Sequence, residues 1–196
     1  ETDTDINFTV REALKTKAFW IYASAMVLRS CILSAIVVHE IPHLTDIGIP
    51  YQQASTVLGL MVMMSVPGRI IFGWLGDRFS KKLLVFILCL AQAFGIFIFI
   101  NASTTVLLYL FVVVYGLGYG GVIPLTISLR ADLFGRTHYA TIAGISMSIA
   151  MIWAVLAPIF AGYLYDTTQS YSLAFYIFIA MIIASGVLFL FIPKPT

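Results

Sequence analysis

Two places in the sequence hold residues able to do chemistry. His39-Glu40-Ile41-Pro42-His43 has the H-E-x-x-H spacing of zinc hydrolases. There two histidines one helical turn apart bind the metal, and the glutamate acts as general base toward a metal-bound water. The second place is Arg29, a lone cation inside the apolar run Ala18–Val38. It lies roughly 16 Å along a helix from the start of that run, near the middle of a hydrocarbon layer about 30 Å thick. A cation at that depth costs at least ~2.5–3.5 kcal/mol by insertion scales, so it needs a cavity or a partner. Whether either place works depends on the elements that carry it.

Those elements are membrane spans. The 196 residues are 61% hydrophobic and 10% charged, against about 25% charged in soluble domains. Apolar runs divide the chain into six predicted helices, Ala18–Val38, Gln53–Phe72, Leu83–Ile100, Val106–Ile127, Tyr139–Leu164 and Leu173–Ile192. Residues 1–17 form a lead-in, 18–192 the six-span bundle and 193–196 a tail. In the lead-in, Thr9 and Glu12 form a capping box that opens a short helix on the membrane surface. The polar, acidic start Glu1-Thr2-Asp3-Thr4-Asp5 has neither an initiator Met nor a signal peptide, and reads as a cut inside a longer chain.

The connections differ in charge. Arg11, Lys15 and Lys17 precede the first span; Arg69, Arg78, Lys81 and Lys82 fall around the second connection, Arg130 and Arg136 in the fourth, and Lys194 in the tail. The first, third and fifth connections have no Lys or Arg. The positive-inside rule then puts both termini in the cytoplasm and His39-Glu40-Ile41-Pro42-His43 outside. Only Arg29 breaks the pattern.

This setting argues against a zinc hydrolase. Pro42 sits between the two histidines, where it removes a backbone donor and biases Ile41 away from helix. The third histidine, His138, is predicted on the opposite membrane face. His39, Glu40 and His43 read instead as polar residues at the water boundary where the first span ends; the remaining metal alternative is an external site through His39 and His43. Cys31 and Cys89 lie in apolar runs and indicate neither disulfide nor metal cluster. No nucleotide loop or catalytic triad is present, so no cofactor, metal or nucleic acid is expected.

The pattern Gly-aromatic-Leu-x-Asp occurs twice, as Gly73-Trp74-Leu75-Gly76-Asp77 at the end of the second span and Gly162-Tyr163-Leu164-Tyr165-Asp166 at the end of the fifth. Only the first copy runs on into bases. Two three-span units of opposite orientation account for both facts. The stretch Arg69 to Lys82, RIIFGWLGDRFSKK, resembles the loop motif of the major facilitator superfamily, with Gly73, Asp77, Arg78, Lys81 and Lys82 matching and Ser80 in place of the usual Gly. Pro158 to Asp166, with Gly144 upstream, resembles the eleventh span of such transporters. FTVREALKTKAFW with PHLTDIG is similar to the start of the C-terminal half in the oxalate/formate antiporter and monocarboxylate carrier branch.

The resemblance implies an all-α membrane fold: six transmembrane helices as two inverted three-helix repeats, one half of a twelve-span carrier. The implied partners are an N-terminal six-helix half or a second copy, the lipid bilayer, and a small anionic substrate. The loop holding Arg69, Gly73, Asp77 and Arg78 is expected to clip the halves together on the cytoplasmic side, while Lys81 and Lys82 are expected to anchor the third span in the leaflet. In the branch the C-half arginine lies one span later than Arg29.

Arg29 is the residue expected to meet substrate. A seam of small residues, Ala23, Ser30 and Ser34, suits helix packing, and at 100° per residue Arg29 points away from it, toward Tyr22, Met26 and Leu33. With no Asp or Glu placed inside a span, the guanidinium has no counter-ion in this chain and suits a carboxylate held by two parallel hydrogen bonds. Tyr115 and Tyr119, in a glycine-rich span with Pro124, and Trp153 at mid-depth are further substrate-site candidates. Gln92 is read as a helix-to-helix hydrogen bond. The expected activity is secondary transport of a small organic anion, and the rival is a non-transporting scaffold or sensor bundle.

Overall fold

The computed structural model describes residues 7–195; the acidic start of the lead-in and the last residue of the tail lie outside the described residues. A short helix, α1 (Val10–Ala13), is followed by six long ones: α2 (Lys17–Asp46), α3 (Tyr51–Gly76), α4 (Lys81–Ile100), α5 (Thr105–Phe134), α6 (Tyr139–Thr168) and α7 (Ser172–Leu190). All six are long and apolar enough to cross a membrane. The capping box is present: the Thr9 amide donates to Glu12 Oε2 at 2.8 Å, and the Glu12 amide to Thr9 Oγ1 at 3.3 Å.

The packing is that of two related triplets. α3 lies against α5 as α6 lies against α2, α4 and α7 flank α5 and α2 in turn, and α4 and α7 touch each other. The duplicated glycines occupy matching places. A Cβ on Gly73 would stand 3.8 Å from Pro124 Cβ on α5, and one on Gly162 3.9 Å from His39 Cε1 on α2. The glycine-rich stretch of α5 remains helical, and its glycines serve close packing: a Cβ on Gly116 would lie 2.7 Å from the Met61 carbonyl oxygen, and one on Gly120 would collide with the Ser65 carbonyl oxygen of α3.

Several expectations need correction. The first span does not end between Val38 and Pro42: α2 runs on to Asp46 with Pro42 inside it. Membrane helices tolerate proline, and in the turn after it Thr45 Oγ1 donates to the carbonyls of Ile41 and Pro42 at 3.1 and 2.9 Å. His39, Glu40 and His43 are therefore buried between helices rather than at the water boundary, and Glu40 is an acidic residue inside a span. Arg130 belongs to α5 instead of the following connection, because that helix continues to Phe134 and stops at Gly135, whose φ of 79° suits glycine. α6 extends past Asp166 to Thr168, while Arg69, inside the predicted span Gln53–Phe72, is exposed on α3.

Candidate functional site

α2 and α5 face one another across a cavity of about 250 Å³. From α2 come Tyr22, Met26, Arg29, Ser30 and Leu33, from α5 chiefly Tyr119, Thr126 and Arg130, and from α6 Met147. The expected orientation of Arg29 is thus observed, and Ser30, assigned to the packing seam, also lines the space. Side chains bridge the two helices: Tyr22 Oη donates to the Thr126 carbonyl at 3.1 Å, and Arg29 Nη2 to the Tyr119 carbonyl at 3.1 Å.

Arg29 is 6% exposed. Its Nη1 donates to Gln92 Oε1 on α4 at 3.2 Å, so Gln92 makes the helix-to-helix bond expected of it, and makes it to this arginine. Both partners are neutral. The guanidinium carbon also lies 5.9 Å from the centre of the Tyr119 ring, within range of a cation–π attraction.

Arg130, expected in a connection, lines the same cavity and is 3% exposed. It donates to Tyr139 Oη at 2.7 Å and to Ser146 Oγ at 3.3 Å, both on α6. Its Nε is buried without a partner. The lining of the cavity contains two arginines and no acidic residue. The signal for Arg130 was Gly135: extending the predicted helix to that C-terminal glycine would have brought the arginine inside it.

The other two candidates lie elsewhere. Tyr115 is fully buried, its ring tilted against Phe111 at 5.4 Å between centroids, and does not line the cavity. Trp153 is 53% exposed on α6 and does not line the cavity.

The His39-Glu40-Ile41-Pro42-His43 segment is not arranged as a metal site. His39 Nε2 is 2.9 Å from the Pro158 carbonyl, His43 is enclosed by Phe99, Tyr171 and Phe175, and both Glu40 oxygens are buried without partners. Among the described residues no group of three His, Cys, Asp or Glu side chains is placed to hold a metal ion. Tyr171, in the turn before α7, has its phenol pushed up chiefly by burial.

At the opposite end, the loop motif ties helices together. Lys81 forms an ion pair with Asp132 of α5, and Lys82 Nζ donates to the Ile192 carbonyl. These contacts give the two lysines a bundle-bracing role in addition to any leaflet anchoring. Arg78 lies 4.0 Å above the Trp74 ring, and Asp77 follows the last residue of α3 beside Gly73 and Pro124.

Six apolar helices packed as two inverted triplets make this an integral membrane protein with the architecture of half a carrier. Residues 18–196 match the family profile described as Major Facilitator Superfamily, and the chain belongs to that family. It is a family of transporters, not of enzymes, which disposes of the zinc hydrolase. Similar proteins include monocarboxylate transporter 12-B of Danio rerio, 28% identical over 175 residues covering 87% of this chain and 36% of that protein. Monocarboxylate transporter 13 of Rattus norvegicus is 30% identical over 77% of the chain and 36% of its own length. The uncharacterized transporter YycB of Bacillus subtilis is 29% identical over 71% and 35%. Among solved structures, the POT family transporter PepTSo superposes with a TM-score of 0.72 at 18% identity, over 88% of this chain and 36% of that one, a likeness of fold. The chain spans little more than a third of the length of these relatives.

Proposed function

We propose that the chain is one half of a secondary active transporter that moves a small organic anion, a carboxylate for preference, by alternating access. The cavity between α2 and α5 forms the C-terminal wall of a midplane site, and an N-terminal six-helix half, or a second copy, supplies the other. In the membrane both termini are cytoplasmic, and the plasma membrane is the proposed location. The loop from Arg69 to Lys82 engages the partner half on the cytoplasmic side and releases it as the halves rock.

The observation that carries this reading is Arg29, buried in the cavity wall and held only by neutral acceptors. A guanidinium without a counter-ion is positioned by Gln92 and the Tyr119 carbonyl while its charge remains available to an incoming carboxylate. The monocarboxylate transporters among the relatives support the same substrate class. The rival, a scaffold or sensor bundle, gives no account of an uncompensated cation facing a cavity.

Arg29→Met in the complete protein that carries this chain tests it. The change removes a buried charge and two hydrogen bonds together, so stability is expected to stay within about 2 kcal/mol while carboxylate binding disappears. If Arg29 instead pairs with a carboxylate of the other half, stability falls by on the order of 3–5 kcal/mol with binding retained, and the substrate role is lost.

A further inference from the structure

Arg130 shares the cavity with Arg29, and nothing acidic lines the space between them. We infer that the cavity holds a dicarboxylate of about three or four carbons, one carboxylate on each arginine. This rests on the reading that the cavity binds a small organic anion.

Charge comes first. Arg29 is engaged by Gln92 Oε1 and the Tyr119 carbonyl, Arg130 by Tyr139 Oη and Ser146 Oγ, and all four partners are neutral. Lys81–Asp132 is the one ion pair among the described residues, and it lies outside this cavity. A monocarboxylate would leave one of two buried cations uncompensated, an unfavourable state in a site shielded from water. A dianion compensates both. The buried, unpartnered Nε of Arg130 adds a donor that the protein itself does not use.

Spacing sets the length. The Arg130 guanidinium carbon lies 5.9 Å from the Tyr22 ring, and Tyr22 precedes Arg29 by two turns of α2, roughly 10 Å along the axis. From α5 the result agrees. Tyr119, which receives Arg29, and Arg130 are about 16 Å apart along the helix, and the Arg130 side chain leans back toward the helix N-terminus. A carboxylate carbon chelated by a guanidinium lies roughly 4 Å from the guanidinium carbon. Tyr22, beside Arg130, bonds the Thr126 carbonyl and Arg29 the Tyr119 carbonyl, so the guanidinium groups stand roughly 10–12 Å apart; two such contacts leave roughly 2–4 Å between the carboxylate carbons, which matches malonate or succinate and falls short of adipate.

The test is binding of oxalate, malonate, succinate, adipate and lactate to the complete protein, by isothermal calorimetry or by protection against heat. Affinity is expected to peak at malonate or succinate, about 10-fold or more above lactate, and Arg130→Gln to weaken succinate at least about 10-fold more than lactate. Lactate binding as tightly as succinate, or a peak at oxalate or adipate, overturns the inference; the wild-type series decides this even if the variant fails to fold. Lactate bound without dicarboxylate binding overturns the dicarboxylate alone, whereas no binding of any of the five overturns the anion-carrier reading with it.

Discussion

Glu40 shows what burial does to a single residue. Both oxygens are enclosed without a hydrogen-bond donor, and an isolated carboxylate in such a place is costly. Replacing it removes that cost. Glu40→Gln is expected to leave the melting temperature level or raise it, because the amide keeps the shape and never carries charge. Loss of several degrees in the complete protein would show that the carboxyl makes a contact the amide cannot replace. Most of the candidate residues were readable in the sequence, but their surroundings were only half so. Arg29 was legible because a charge in an apolar run is visible as such, whereas the burial of Glu40 depended on α2 passing through Pro42, a residue that by itself reads as a stop.

Between elements, the closest approach is α5 on α3. Gly120→Ala puts a methyl group into the Ser65 carbonyl, where neither backbone can give way easily. The expected cost is about 1–3 kcal/mol of overpacking, read as a lower melting temperature, while Gly144→Ala, with open space at its Cβ, should change little. Unaltered stability in Gly120→Ala would contradict the α3–α5 contact. At the surface, the Thr9 amide and then the Thr9 hydroxyl hold the Glu12 carboxyl below its ordinary value. A depressed carboxyl contributes stability above the ordinary carboxylate range and loses it as pH falls through the folded value. Protection of the α1 amides, taken relative to the intrinsic exchange rate at each pH, is therefore expected to fall on acidification, and Glu12→Gln to remove that dependence. The six helices and the two triplets were legible because hydropathy and charge asymmetry repeat along the chain. Helix ends were less so, since Pro42 reads as a stop in isolation and Gly135 as a stop only once the helix is allowed to reach it. That difference of seven residues between Ile127 and Phe134 hid Arg130 from the candidate site.

For the whole molecule, basic residues outside the long helices gather at one end, and the proposed topology follows from them. Cysteine introduced at Thr167 is expected to react with an impermeant reagent from outside intact cells and cysteine at Ser80 is not; the reverse would invert the orientation. The exposed apolar side of α6, including Trp153, is expected to face the partner half or lipid, and the isolated 196-residue chain is expected not to transport, because a midplane site needs both walls. The central claim is that the complete protein carries a small carboxylate through the cavity that holds Arg29. Counterflow of labelled carboxylate into liposomes preloaded with the unlabelled anion measures it directly. Accumulation by the wild-type protein that falls to the protein-free level in Arg29→Met, with the variant still folded, is the predicted result; accumulation by Arg29→Met at the wild-type rate would contradict it.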